Sequence, residues 1–349
     1  MDIQALLDSL DWRYLLVSSA KVFVLYHVVI VLGAVMTLAE RKVSAWMQYR
    51  IGPNRVGPCG LLQPLADGVK FIFKEEVLPD GANPILFRLA PAIAAIPAMM
   101  TLAVIPFSGE ITEAKDFLGG RTTYLSIADI DIGVLYLLAI GGLSVYGIIL
   151  GGWVSNSKFS LMGGLRASAQ MISYELTLIL SILAVVAMAG SLNLREIVSA
   201  QHEAGMWFIA TQPLAFLLFL VAIFAETNRH PFDFAECESE LVGGFHTEYS
   251  SMKFALFFLG EYTAMIVMSC LGTALFLGGH HIPFVDNVHW AIGFLAFMAK
   301  TSIFLFLFLW VRWTLPRFRF DQLMRLGWKV MLPLALANLI FTGALISLK

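Results

Sequence analysis

Charge is what this 349-residue sequence has little of: 14% of its residues are Asp, Glu, Lys or Arg, where a soluble domain carries about 25%. That scarcity excludes an ordinary soluble domain, a disordered chain and a nucleic-acid-binding protein. Cysteine is scarce too, with Cys59, Cys237 and Cys270 far apart and no C-x-x-C. A protein-held iron–sulfur cluster, a structural zinc site and a disulfide framework are therefore not expected. The seven histidines include no pair at helical i, i+4 spacing, which argues against haem or metal ligation. The first residues, Met1-Asp2-Ile3-Gln4, lack the basic start of a secretory leader, so no cleaved signal is expected. What is abundant is apolar: 58% hydrophobic residues, with 27 Phe, 28 Gly and 13 Pro, the composition of a chain built from membrane helices.

A bilayer core of about 30 Å takes roughly 20 apolar residues per helix. Eight stretches qualify, near 15–39, 86–107, 133–154, 170–189, 206–225, 253–277, 289–311 and 329–347. The expected fold is all-α and polytopic, a single membrane domain over 1–349. The second stretch holds Pro91, Pro97 and Pro106 and is expected to be kinked and covered by neighbours. Lys and Arg fall mostly in the odd-numbered connections, so both termini are expected on the periplasmic side of a bacterial inner membrane, or away from the matrix in a mitochondrion.

The basic-side connections are unusual. Glu40-Arg-Lys42 is followed by Arg50-Ile-Gly-Pro-Asn-Arg-Val-Gly-Pro58, a Gly/Pro-punctuated loop. Leu61, Leu62, Leu65, Val69 and Ile72 then recur at helical spacing, with Gln63, Asp67, Lys70 and Lys74 opposite. That pattern predicts an amphipathic helix over about 61–76, lying along the membrane surface. A bare surface anchor is the alternative reading.

Carboxylates concentrate after the fifth stretch. The loop 226–250 packs Glu226, Asp233, Glu236, Glu238 and Glu240 around Arg229, and Glu248 follows. Crowded acids raise one another's proton affinity. Phe232, Phe234, Leu241, Val242 and Phe245 nearby favour packing into a crevice over a solvated loop. Glu175, Glu261 and Lys300 lie inside apolar stretches, where ionisable groups usually face a partner or a water path. Two readings stand: a proton relay through Glu175 and Glu261, or Lys300 neutralising one of them to hold helices together. Arg312, Arg317, Arg319 and Arg325 alternate with aromatics in the last basic-side loop, suiting a partner protein or anionic lipid.

These runs, with Gly60-Leu-Leu-Gln-Pro-Leu-Ala-Asp-Gly-Val-Lys70, Ala225-Glu-Thr-Asn-Arg229, Pro231-Phe-Asp233, Glu238-Ser-Glu-Leu-Val242, Glu248-Tyr-Ser250 and Pro316-Arg-Phe-Arg-Phe-Asp-Gln-Leu323, closely resemble a family of membrane subunits of respiratory NADH:quinone oxidoreductase, complex I, the family called subunit 1 in mitochondria. The likeness runs in order along essentially the whole chain. It implies a membrane subunit that anchors the peripheral arm, forms part of the chamber admitting ubiquinone or menaquinone, and starts a proton path toward antiporter-like membrane subunits. Matched residue by residue, it places Arg41, Arg50, Asp233, Glu236, Glu238, Glu240, Arg317 and Arg319 at the chamber. Glu175, Glu226 and Glu261 fall on the proton path. It implies no cofactor bound by this chain, with FMN and iron–sulfur clusters in partner subunits and quinone as substrate. Cys59 stands where an aromatic is expected, and Cys237 where Gly or Ala is common. A self-contained secondary ion transporter and the anchor subunit of a membrane-bound hydrogenase are the alternatives.

Overall fold

The computed structural model describes residues 12–111, 123–235, 238–283, 285 and 288–348. The helices, in chain order, are α1 (Trp12–Met47), α2 (Gln63–Phe73), α3 (Pro84–Met100), α4 (Gly133–Gly142), α5 (Ser144–Val154), α6 (Lys158–Ala189), α7 (Leu194–Glu203), α8 (Phe208–Thr211), α9 (Pro213–Glu226), α10 (Glu238–Leu241), α11 (Ser251–Phe276), α12 (Trp290–Thr314), α13 (Phe320–Arg325) and α14 (Leu332–Ser347). Among the described residues there is no strand, only an isolated bridge between Glu110 and Tyr124. The protein is an all-α polytopic membrane protein.

Seven helices or helix pairs are long and apolar enough to cross a bilayer, from Leu15–Met47 to Phe320–Ser347. The fifth expected stretch, 206–225, is different. It breaks at Gln212 into α8 and the 14-residue α9, because Pro213 disfavours the α conformation in the residue before it. The break is used: the Gln212 side chain donates to Thr342 Oγ1 (2.9 Å) and accepts from Asn338 (3.1 Å), both on α14.

Proline also shapes α3, which starts on an Asn83 cap with Pro84 in its first turn. The helix runs through Pro91 and Pro97, both buried, and tightens to a 3₁₀ turn at Thr101–Val104. Glycine lets its neighbours close in. A Cβ at Gly147 of α5 would sit 2.3 Å from the Ala94 nitrogen of α3, so these two backbones touch and any larger residue would force them apart.

The surface helix α2 is shorter than the expected 61–76, and none of its residues is buried. Leu61, Leu65, Val69, Ile72 and Phe73 remain exposed, as suits a helix seated in the lipid interface. The core lies elsewhere, around α6, α9, α11 and α12, with Tyr174, Phe219, Phe276, Phe297 and Phe308 fully buried.

Candidate functional site: a buried arginine between two chambers

The loop after α9 carries Arg229 back into the bundle, where it is 5% exposed. Its guanidinium donates to Glu40 at the end of α1 (Nη1 to Oε2, 3.1 Å) and pairs with Glu261 of α11 (Nε to Oε1, 2.6 Å). It also lies over the Tyr262 ring, 4.4 Å from the centroid. Tyr262 in turn donates its hydroxyl to the same Glu40 oxygen (2.8 Å), and Arg312 of α12 takes the other one (2.5 Å). Two arginines thus face two carboxylates, so little net charge is buried. Burial alone would lower the Arg229 pKa, but Glu261 and Glu40 outweigh it and hold that pKa well above the ordinary arginine value.

On one side of this cluster lies a cavity of about 430 Å³ between α1, α2 and α11. Its wall is mainly apolar, including Ile30, Phe71, Phe254 and Phe258, and its polar edge is Glu40, Arg41, Asp67 and Tyr262. Arg41 is tied to Asp67 of the surface helix at 2.8 Å. An apolar cleft of this size with a few converging polar groups is the usual form of a small-molecule site.

On the other side Glu261 and Glu226 line a small chamber of about 50 Å³, together with Ser144, Thr227 and Asn228. That is room for a few waters. Glu226 is 7% exposed and its Oε2 has no hydrogen-bond partner among the described residues. Glu175 of α6 interacts electrostatically with Glu226. Its carboxylate rests on Gly142, where a Cβ would come within 2.8 Å of Oε1. Gln170 fixes this end of α9 by donating to the Ala225 carbonyl (2.8 Å) and to Asn228 (3.2 Å).

The three carboxylates expected on a relay are therefore neighbours. Of the expected chamber residues, Arg41 borders the large cavity. Asp233 pairs with Arg317 (3.4 Å) in the loops, where Arg317 and Arg312 together with burial lower the pKa of His230. Glu240 pairs with Arg166 at 2.5 Å and is half exposed, Arg319 is 79% exposed beside Asp321, and Arg50 is exposed beside Gln48. None of Arg50, Glu240, Arg317 and Arg319 lines the cavity. Glu236 and Cys237 lie outside the described residues, as does the Glu238 side chain.

Lys300 does not neutralise either intramembrane acid. It donates to the backbone carbonyls of Leu277, Gly279 and His281 at the other end of α11, and the cation at Glu261 is Arg229. Glu40, Tyr262 and Arg312 carry no role that the sequence alone reveals. Glu40 closes an apolar run beside Arg41 and Lys42, which looks like a solvated helix end. Its burial depends on Arg229, 189 residues away. Among the described residues no group of three or more His, Cys, Asp or Glu is arranged to hold a metal.

A family model described as NADH dehydrogenase matches residues 20–343, nearly the whole chain. The chain belongs to the NADH dehydrogenase family. Curated relatives from three bacteria carry one name, the H-type subunit of NADH-quinone oxidoreductase. That of Geobacter metallireducens is 53% identical over 330 residues, covering 95% of this chain and 96% of its own. That of Cytophaga hutchinsonii is 51% identical over 342 residues, with coverages of 96% and 98%. The Thermomicrobium roseum relative is 49% identical over 342 residues, covering 96% and 97%. For this family member, the Arg229 cluster and its two flanking cavities form the candidate site.

Proposed function

We propose that this chain is the membrane subunit of a proton-translocating NADH:quinone oxidoreductase that forms part of the quinone chamber, anchors the peripheral arm and starts the carboxylate path. One observation carries the reading: the buried Arg229 joins an apolar cavity, through Glu40 and Tyr262, to a carboxylate chamber, through Glu261. A quinone headgroup reaching the Glu40–Tyr262 edge takes up two electrons and two protons on reduction. Any proton drawn from that edge alters the charge facing Arg229, and Glu261, Glu226 and Glu175 respond because they share its field.

The isoprenoid tail suits the apolar wall beside the surface helix, and the exposed face of α2 suits the membrane interface. The redox centres, FMN and iron–sulfur clusters, are assigned to partner subunits, since Cys59 and Cys270 are far apart in sequence and only Cys270 is buried. The basic connections hold the peripheral arm on the cytoplasmic side, with antiporter-like and small membrane subunits alongside and both termini periplasmic.

The test uses Gly68, which borders the cavity and where an added Cβ meets nothing within 4 Å. In the assembled complex, Gly68→Leu raises the KM for quinone while leaving NADH oxidation by an artificial acceptor intact. An unchanged quinone KM would remove the cavity from the quinone route.

A further inference from the structure

At the far end of α11 a second charge is buried, and the relay does not use it. Lys300 on α12 donates from Nζ to the carbonyls of Leu277 (2.7 Å), Gly279 (2.9 Å) and His281 (2.6 Å), just past the C-terminus of α11. Three acceptors match the three protons of an ammonium, one more than a neutral amine can donate. The orphan carbonyls of a helix C-terminus carry the negative end of its dipole, which favours a cation there. Its remaining neighbour is the Trp207 ring, 4.8 Å away. Among the described residues Lys300 pairs with no carboxylate.

The surroundings point to water on the far side of this cage. A cavity of about 470 Å³ is lined by Gln201, His202, Trp207, Gly278, His281 and Pro283, among others. The His202 and His281 rings stack at 4.3 Å, and His280 continues the stack at 4.2 Å from His281. Burial and the neighbouring positive groups push the His280 pKa down to about 3 and that of His281 to about 4, so Lys300 holds the fixed positive charge at this wall.

A polar row leads inward from the cage. Residues four apart share one face of a helix, and on α11 that row is Glu261, Met265, Ser269, Thr273 and Leu277. Ser269 donates to the Met265 carbonyl (2.7 Å), Thr273 donates to the Ser269 carbonyl (3.0 Å), and Thr273 meets the Thr301 hydroxyl at 3.2 Å, next to Lys300. At 1.5 Å per residue the row spans about 24 Å from Glu261 to Leu277. Its inner end is the carboxylate chamber.

We propose that Lys300 is an electrostatic seal: a fixed ammonium, caged by carbonyls, that stops protons on the outer face from entering the Ser269–Thr273 row and reaching Glu261. A fixed positive charge in a narrow polar passage repels protons as it does other cations. This makes Lys300 a positioning residue for coupling, and it rests on the carboxylate-path reading of the chamber.

The experiment measures passive proton influx into liposomes holding the whole complex, with a trapped pH dye and an imposed potassium diffusion potential, without NADH or quinone. Turnover plays no part in it, so the quinone-chamber reading stands or falls separately. Lys300→Gln keeps donors for the carbonyls but removes the charge, and is expected to leak severalfold faster than wild type, while Lys300→Arg stays tight. Thr301→Asp keeps the lysine in its cage and sets a neutralising carboxylate beside it, so it is expected to leak as well. Adding Thr273→Val to Lys300→Gln interrupts the row and restores tightness. Tight liposomes with either Lys300→Gln or Thr301→Asp, or a leak that persists in the Thr273→Val double variant, would overturn the seal.

Discussion

Two buried cations, Arg229 and Lys300, sit near opposite ends of α11, and they are stabilised by different chemistry. Arg229 is held by carboxylates, Glu40 and Glu261, which can gain or lose protons. Lys300 is held by three backbone carbonyls, which cannot. A charge balanced by titratable partners belongs to an equilibrium that a nearby reaction can shift. One balanced by backbone dipoles stays as folding left it. The molecule thus has a responsive end and a fixed end.

The strongest way to break that contrast is Arg229→Met. It strands Glu40 and Glu261 in a site with little water, and removing one partner of a buried pair costs about 3–5 kcal/mol. The expected outcome is loss of more than nine-tenths of quinone reductase activity, with a lower thermal stability of the complex in detergent. Next in size, Glu261→Gln and Glu175→Gln are expected to assemble and retain NADH oxidation by an artificial acceptor, while proton pumping in liposomes collapses. Full pumping in both variants would remove them from the path. Gly68→Leu sharpens the contrast more gently, through a severalfold rise in quinone KM and little change in kcat. The smallest effect belongs to the half-exposed Arg166–Glu240 pair. Breaking it with Glu240→Gln is expected to cost no more than about 0.5 kcal/mol, and quinone kinetics should stay within twofold of wild type.

Glu226 and Glu261 are legible in the sequence as functional candidates because an acid inside or beside an apolar run stands out against its neighbours. Glu40 is not, since a charged residue at the end of a spanning stretch looks like a boundary. Lys300 is visible, but its partners are not: backbone carbonyls leave no trace in residue identity. Arg319 and Glu240 show the converse. Motif likeness marks them, yet in the folded chain both are largely exposed, paired with Asp321 and Arg166. The surface helix is readable from its period, whereas the break at Gln212 escapes notice because hydropathy alone cannot separate one long helix from two short ones joined at a proline.

Glu261 and Tyr262 are consecutive residues, and consecutive side chains leave a helix about 100° apart. One faces the carboxylate chamber and the other the apolar cavity, so a single turn of α11 is the partition between them. Gly260 beside them packs on Ala95, where a Cβ would come within 3.1 Å of Cα, which braces the partition against α3. A wall one helix thick, about 10–12 Å, is too thick for quinone or water to cross and thin enough for an electric field to act through. Matter and influence are therefore separated by the same turn of helix, and the two compartments can be coupled without ever being joined.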